Sequence, residues 1–456
     1  MSIVRTVGKG IVWNTLGSSV GKIVVLGNIF IILHYLSVYE YGLSELVLSV
    51  VTTASIILLP GLASAIQADI SHAIGADTRG YARAIFDRYF LLNLFLGVCL
   101  WVGLFLLAQP VAVLVKNPSI THFLRIVSFL FLLSPLRMAG TMLAQVVLRF
   151  ADQSLYSVIE EIAKGAALLV LLVGLGKGIE GLLYSAVIGQ AVAALFFLPR
   201  TISAYKKFGT EPSHQTVRYL DLIRRHRKWS ITSSYISNLT QSAQLWLIRI
   251  VLGTEAVGLY AVASGIVSQV SAFLPLGTVL SPIAPAYVDR PSEMGRLVHA
   301  SLKLQFALSL LLCAAAWAAL PVFIHLFPKY ALASPLAAGM ILSVIPLGLA
   351  NVFTPIYSAY KEQFAFLISV TIKFGLIVLL FPFSMHFFGL YGIAIATVLT
   401  SVFTAIERYI RLRNIVPEIR MRFKDLYTLS PEERAYVRVL GMRIRAFRLL
   451  RSLPKI

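Results

Sequence analysis

The stretch LSVYEYGL at residues 36–43 returns as LGTEAVGL at residues 252–259, 216 positions further along the chain. Glycine and leucine often coincide in apolar sequence, so a single match of this kind carries little weight. Three further matches keep the same order: Trp13 with Trp229 at the same spacing, Pro135-Leu136 with Pro346-Leu347 at 211 positions, and Gly181-Leu182 with Gly389-Leu390 at 208. The spacing shortens steadily, as small deletions in a second copy would produce. We therefore predict two related halves.

The composition indicates whether the chain folds in water or in a membrane. Hydrophobic residues make up 58% of the sequence and charged residues 13%, with a mean hydropathy of +0.82. Soluble domains contain about 45–50% apolar and about 25% charged residues. The chain is therefore predicted to be an integral membrane protein. Each transmembrane helix needs roughly 20 apolar residues, so 456 residues suffice for about twelve spans.

Windows of high hydropathy predict an all-α membrane protein of about twelve helices. They lie near residues 11–35, 42–71, 86–113, 122–147, 155–175, 180–199, 229–252, 256–284, 301–326, 332–359, 363–385 and 389–411. Six helices separate matched positions of the repeat, and six is even, so both copies should cross the membrane in the same direction. Parallel repeats of this kind bind substrate between the two halves.

The repeat and the loop lengths divide the sequence into four parts. We expect an N-terminal lobe at residues 1–200, a basic linker at 201–228, a C-terminal lobe at 229–411 and a basic tail at 412–456. The eighth and tenth helices are expected to bend, because an interior proline removes a backbone hydrogen bond. Their prolines are Pro275, Pro282 and Pro285 in the eighth helix, and Pro335, Pro346 and Pro355 in the tenth.

The distribution of Lys and Arg between the loops predicts the orientation. One set of loops carries eighteen of them before the tail is counted, and the opposite set carries five. Positive charge marks the cytoplasmic side. Both termini and the linker at residues 201–228 are therefore predicted to be cytoplasmic.

Four cations lie deep inside predicted helices, where an unpaired charge costs roughly 3 kcal/mol or more and usually faces a cavity or a partner. Lys164 and Lys373 occupy matching places in the two halves, Lys22 lies in the first helix and Arg137 in the fourth. These four are the candidate substrate-binding residues. An arginine can bind phosphate oxygens through two parallel hydrogen bonds, so the cations favour an anionic cargo.

Three acids are candidate charge partners or coupling groups, and each cation also has a purely structural explanation. Glu160 and Glu161 are deep in the fifth helix, while Asp69, like Glu45, lies nearer an end of the second. Glu160 and Lys164 are four residues apart on one helix, a spacing that allows an ion pair. Lys22 could extend its side chain to the interface. Arg137 could bind carbonyls freed by Pro135.

The tail differs from the rest of the chain. From Arg408 to the end there are thirteen Lys or Arg residues and four acids. The sequence Ser430-Pro431-Glu432-Glu433 is a typical helix start, and basic and apolar residues alternate after it. This pattern predicts an amphipathic helix bound to anionic lipids of the cytoplasmic leaflet. A nucleic-acid partner is not expected.

No motif in the sequence predicts catalysis. Cys99 and Cys313 both fall within apolar runs, which gives neither a disulfide framework nor metal-ligand spacing. There is no phosphate-binding loop and no nucleophile with its base. We expect no enzyme, no metal and no cofactor.

Several loose glycine-based motifs resemble a known family. They are Asn14, Tyr41-Gly42-Leu43, Gly61-Leu62-Ala63-Ser64-Ala65, Gly258-Leu259-Tyr260 with Ala263, and Gly389-Leu390-Tyr391-Gly392-Ile393-Ala394. Together they resemble the polysaccharide-export branch of the multidrug/oligosaccharidyl-lipid/polysaccharide (MOP) flippase superfamily, over residues 8–413. Peptidoglycan-precursor flippases of the superfamily add two helices, and the twelve predicted here favour the polysaccharide branch.

The resemblance implies a fold and a function. It implies two six-helix lobes in a V, and alternating access that moves undecaprenyl-pyrophosphate-linked oligosaccharide to the outer leaflet of the bacterial cytoplasmic (inner) membrane. The implied partners are the lipid-linked oligosaccharide, the membrane and other polysaccharide-assembly proteins. A MATE-like cation-coupled drug antiporter shares the fold but needs acids in its cavity. A membrane scaffold or polymerase is a third class, and a polymerase of this pathway would carry a large outward loop.

Overall fold

The computed structural model describes residues 20–58, 60–76, 78–114, 117–147, 149–208, 228–274, 276–420 and 423–426. Within these ranges it consists of α-helices, short 3-10 turns and one π-helical segment, with no strand. The α-helices are α1 Val20–Tyr35, α2 Val38–Ala54, α3 Pro60–Gly75, α4 Arg79–Leu114, α5 Ile120–Val146, α6 Phe150–Leu168, α7 Gly178–Lys206, α8 Lys228–Leu252, α9 Thr254–Ser271, α10 Leu276–Ile283, α11 Pro291–Leu326, α12 Ala333–Ile341, α13 Val344–Ala359, α14 Gln363–Phe388 and α15 Leu390–Ile415.

Helices occupy all twelve predicted places, which confirms the all-α membrane class. Seven described helices are long and apolar enough to cross a membrane alone, and the bent pair α12–α13 makes an eighth. The largest differences are at the starts of α4 and α11, which begin at Arg79 and Pro291 rather than near residues 86 and 301, and at the end of α7, which lies at Lys206 rather than near residue 199. Hydropathy detects only the apolar part of a helix, whereas backbone hydrogen bonds continue into its polar end. The predicted start at residue 11 lies outside the described residues.

Three predicted spans are interrupted. The eighth is split into α9 and α10, and the tenth into α12 and α13. Both were expected to bend from their prolines. The second span is also divided, by a 3-10 turn at Ser55–Leu58 before α3 begins at Pro60. Proline fits the first turn of a helix because its missing N–H has no partner there.

The helices form two compact units, and each is described separately. The first contains Met1–Val267, Ala319–Ile341 and Gln363–Thr400, and the second contains Ser268–Ala318, Leu342–Glu362 and Ser401–Ile456. The division into lobes and linker at residues 200 and 229 stays a prediction.

Two apolar clusters fix the helices of the first unit against each other. One joins α2, α4, α5 and α7 around the fully buried Val47, Leu124 and Leu183. The other joins α3, α4, α5 and the end of α7 around Ile66 and Tyr89. Both clusters include residues of α5, so packing at its two ends determines which of its side chains face the neighbouring helices.

The two copies of the repeat touch each other where α2 and α9 cross. A side-chain carbon at Gly42 would overlap the carbonyl oxygen of Thr254 and lie 2.7 Å from the backbone nitrogen of Gly258. A carbon at Gly258 would overlap the carbonyl oxygen of Val38 and lie 3.1 Å from the nitrogen of Gly42. Val38 and Thr254, like the two glycines, are 216 positions apart. The contact is therefore reciprocal, as two-fold-related surfaces require.

Polar contacts surround this crossing. The Tyr330 hydroxyl donates to the carbonyl oxygens of Leu36 and Ser37, each at 3.2 Å, and Lys329 Nζ donates to the carbonyl oxygen of His34. Ser37 caps α2 through a reciprocal pair of bonds with Glu40. Burial lowers the pKa of Lys329, and the nearby Glu40 carboxylate opposes that shift. The turn between α1 and α2 is thus held by its own cap and by residues 329–330.

Candidate functional site

Charged side chains of α5 and α6 meet within the predicted transmembrane region. Arg137 Nε lies 3.2 Å from Glu160 Oε2, and the two side chains are 49% and 16% exposed. The cation is therefore about half exposed, while its carboxylate partner is largely enclosed. Despite the short distance, Glu160 Oε2 has no well-aligned hydrogen-bond donor among the described residues.

The proline explanation for Arg137 is not supported by its contacts. Pro135 leaves the carbonyl of Phe131 without its usual N–H partner, and this carbonyl packs against Gly97 of α4, where a side-chain carbon would lie 2.7 Å from it. Thr141 Oγ1 donates to the carbonyl of Arg137, and the Arg137 side chain pairs with Glu160.

Lys164 lies one turn after Glu160 on α6. It interacts electrostatically with Glu160 and with Glu45 on α2, but makes no ion pair within 4 Å in the described part of the chain. The spacing of four residues allowed an ion pair between Lys164 and Glu160, whereas the structure gives Glu160 its closest contact with Arg137. Gly189 of α7 backs this part of α6: a side-chain carbon there would lie 2.9 Å from both the Glu160 carbonyl oxygen and Lys164 Cβ.

Two residues that the sequence argument did not select as site residues belong to the same cluster. Asn28 on α1 is 4% exposed, and its Nδ2 donates to both the carbonyl oxygen and Oε2 of Glu161, each at 3.0 Å. Glu45 is hydrogen-bonded by Tyr41, one turn earlier on α2. In the sequence, Asn28 could have been noticed as a single amide side chain within an apolar helix. Glu45 was placed nearer a helix end.

A polar stripe connects this cluster with one end of α6. Asp152, Tyr156, Glu160 and Lys164 follow at intervals of four residues and so share one face of the helix. Asp152 is paired with Arg149 at 3.8 Å and Arg200 at 3.7 Å. The Tyr156 hydroxyl is buried and has no hydrogen-bond partner among the described residues. Beside it lies a cavity of about 10 Å³, lined by Gly140, Ala144, Arg149, Asp152, Tyr156, Phe197, Arg200, Thr201 and Ala204.

The remaining candidate residues lie on other helices. Lys22 is on α1, Asp69 on α3 and Lys373 on α14, and each is partly buried. Their assignment to a substrate path stays a prediction. Among the described residues, no three His, Cys, Asp or Glu side chains are grouped as a metal site requires.

The second unit contains a cavity without charged lining residues. A cavity of about 560 Å³ lies between α11, α13 and α15 and is lined by Leu302, Phe306, Leu310, Ile345, Pro346, Leu349, Phe353, Val402, Ala405, Ile406, Tyr409 and Leu426. None of these side chains is charged, so this cavity suits apolar chains and not an anionic group.

Comparison with known proteins identifies the family. Residues 7–285, more than half of the chain, match the family described as polysaccharide biosynthesis protein. This chain belongs to that family. It is also 26% identical over 289 residues to the succinoglycan biosynthesis transport protein ExoT of Rhizobium meliloti (strain 1021), covering 61% of this family member and 52% of ExoT. The chain spans about half the length of that curated relative.

Solved structures confirm the fold of this family member. An inward-facing multidrug resistance MATE transporter of the MOP superfamily has a TM-score of 0.73 at 14% identity, covering 88% of this chain and 95% of the transporter. A MOP transporter of Pyrococcus furiosus, described as having a binding pocket of reversed polarity, has a TM-score of 0.66 at 15% identity, covering 91% and 97%. The chain is therefore a multi-pass membrane protein with a MATE-like transporter fold.

Proposed function

We propose that this transporter moves an undecaprenyl-pyrophosphate-linked oligosaccharide from the cytoplasmic to the outer leaflet by alternating access, during surface polysaccharide synthesis. Membership of the polysaccharide biosynthesis family supports a cargo of this class. The proposed location is the bacterial cytoplasmic membrane, with both termini in the cytoplasm. Anionic lipids at the tail and other polysaccharide-assembly proteins complete the proposed partners.

The observation that carries this proposal is the arrangement of Arg137 and Glu160. The guanidinium is about half exposed, whereas its carboxylate partner is 16% exposed. An anion entering from the open side therefore meets the cation first, and a guanidinium matches the oxygens of a pyrophosphate. A site for a cationic drug requires the opposite order, with the acid exposed and the cation behind it.

The other cations extend the same argument. Lys164 makes no close ion pair in the described residues, so its ammonium group is available to a second phosphate oxygen. Lys373 lies 209 positions after Lys164, which fits the spacing of the repeat. We assign Lys164 to the first half of the anion path, Lys373 to the second, and Lys22 to its border on α1.

A cation-coupled antiporter of small molecules is the alternative. The acids Glu45, Glu160 and Glu161 of the cluster favour it, because such a carrier needs intramembrane carboxylates. Multidrug MATE transporters also share the fold. The two functions differ in the sign of the cargo charge, which gives a direct test.

The test measures movement of a labelled short-chain polyprenyl pyrophosphate sugar in proteoliposomes, using a quencher that cannot cross the membrane. Hydrogen bonds to charged groups contribute about 1.5–3 kcal/mol, so Arg137→Ala should slow the movement roughly 10- to 150-fold. Lys373→Ala should also slow it. Arg125→Ala is the matched control, because Arg125 lies on the same helix but stacks over Phe105 at 5.3 Å and makes no ion pair with a described carboxylate.

Two outcomes would contradict the proposal. One is wild-type movement by the Arg137→Ala, Lys373→Ala double variant. The other is extrusion of a lipophilic cation driven by a pH gradient, with no movement of the pyrophosphate lipid, which would favour the antiporter.

A further inference from the structure

We propose that the Arg137–Glu160 pair couples cargo to protons: an anionic group that binds Arg137 displaces Glu160, which then takes up one proton. This inference rests on the proposed function for the identity of the anion. It assigns to Glu160 a role beyond neutralising a neighbour, and it predicts that cargo and proton bind together.

The first step is displacement at Arg137. The guanidinium has five N–H donors, and in the described part of the chain its side chain makes one ion pair, through Nε. The contact is 3.2 Å long and poorly aligned, since Glu160 Oε2 has no hydrogen bond that meets normal geometry. A phosphate can bind two donors in parallel, which makes it a stronger partner for the guanidinium than this carboxylate.

The second step follows from what surrounds Glu160 after Arg137 has turned to the anion. On its own helix Glu160 is next to a second acid, Glu161, and within interaction distance of Tyr156 and Lys164. On α7 the packed residue is Gly189, and residues 185–199 contain no titratable side chain. A largely enclosed carboxylate beside another acid is unfavourable without a counter-charge.

Once Arg137 has turned away, Lys164 is the other described cation that acts on Glu160, and a proton is the alternative. Lys164 also interacts with Glu45 on α2, so its charge is shared between two acids. Asn28 of α1 donates its amide to Glu161 and is neutral. A proton bound at Glu160 Oε2 offsets one of the negative charges that the arriving anion brings to the site, because the anion then replaces the carboxylate as the partner of Arg137.

The polar stripe of α6 offers a route for this proton. The cavity of about 10 Å³ beside Tyr156 is close to the volume that one water needs, and Asp152, Arg149, Arg200 and Thr201 line it. The unpartnered Tyr156 hydroxyl lies one helical turn from Glu160. In the proposed route a proton from bulk water passes through a water in this cavity, beside the Tyr156 hydroxyl, and on to Glu160 Oε2. Tyr156 is unchanged at the end, and Glu160 gains one O–H bond.

The experiment counts protons during binding of farnesyl pyrophosphate to the full-length protein in detergent. Calorimetry in buffers of different ionisation enthalpy gives the number of protons taken up, at a pH above the last ionisation of the pyrophosphate. We expect uptake of about one proton per ligand for the wild type, and an affinity that falls roughly tenfold per pH unit as pH rises. Glu160→Gln should bind without proton uptake.

Controls separate this inference from the proposed function. Glu161→Gln removes the neighbouring acid, which Asn28 already binds, and should keep the proton uptake. Tyr156→Phe should slow the uptake without changing its amount. Binding by the wild type without proton uptake, with an affinity independent of pH, would overturn the inference and leave the anionic cargo intact. Proton uptake retained by Glu160→Gln would also overturn it. No binding of farnesyl pyrophosphate by the wild type would count against the cargo itself and the inference with it.

Discussion

The contact between α2 and α9 can be tested by adding one methyl group to each copy of the repeat. In Gly42→Ala the new carbon would overlap the Thr254 carbonyl oxygen and lie 2.7 Å from the Gly258 nitrogen. Both neighbours are backbone atoms, which cannot rotate away as a side chain would. The two helices must therefore separate, or the contact must be strained.

The expected loss of free energy in the α2–α9 contact follows from the cost of overpacking, which is about 1–3 kcal/mol. Alanine also favours the helical state over glycine, but α2 stays helical whether or not it touches α9, so that gain cancels. The equilibrium constant for forming the contact should fall roughly 5- to 150-fold. Gly258→Ala should have a similar effect because the contact is reciprocal. The free-energy cost of the double variant should be smaller than the summed costs of the two single variants, because one separation of the helices relieves both overlaps.

Cross-linking beside the crossing is the readout, because residues 329–330 hold the turn that leads into α2. Lys329 Nζ reaches the His34 carbonyl beside the crossing, and both side chains are exposed. His34→Cys and Lys329→Cys should therefore react with a short bifunctional thiol reagent in a background where Cys99 and Cys313 are serine. The matched control is Gly265→Ala on α9, where a side-chain carbon would have no atom within 4 Å.

Two results would refute the reasoning. If the helices touch as described, Gly42→Ala should cross-link more slowly than Gly265→Ala, and equal rates would show that they do not touch. An effect of Gly42→Ala without one of Gly258→Ala would show that the contact is not reciprocal.

Further predictions concern the same contact, the orientation and the tail. Tyr330→Phe removes the two bonds to Leu36 and Ser37 and should slow the same cross-linking by roughly two- to twelvefold, about 0.5–1.5 kcal/mol; an unchanged rate would contradict this. An impermeant thiol reagent should label Ser119→Cys in intact cells but not Ser213→Cys, and labelling at residue 213 would reverse the predicted orientation. Truncation after Leu426 should leave substantial transport, whereas truncation after Asn414 should also lower the thermal stability because it removes the buried Val416 and Ile419. A peptide of residues 430–453 should bind anionic vesicles and dissociate as salt is added; salt-insensitive binding would contradict a surface helix.

The sequence was sufficient for the membrane class, the helix positions and the repeat. Inside a bilayer every backbone polar group must be bonded within the chain, so a long apolar segment has few alternatives to a helix. Composition and local hydropathy therefore predicted helices in all twelve places. Proline positions predicted the breaks after α9 and α12 for the same local reason. The break at Ser55–Leu58 was not predicted, because a single proline at residue 60 gave little signal.

The partners of the charged residues were decided by the tertiary structure alone. Spacing on one helix allowed a pair of Glu160 with Lys164, but Arg137, 23 residues earlier on another helix, makes the closer contact. Asn28 reaches Glu161 across 133 residues, and Gly42 meets Gly258 across 216. Sequence periodicity reports which residues share a face of one helix. It does not report how two helices are rotated and crossed, and that rotation, set by apolar packing on α5 and α7, places the cation of Arg137 outside and the carboxylate of Glu160 within.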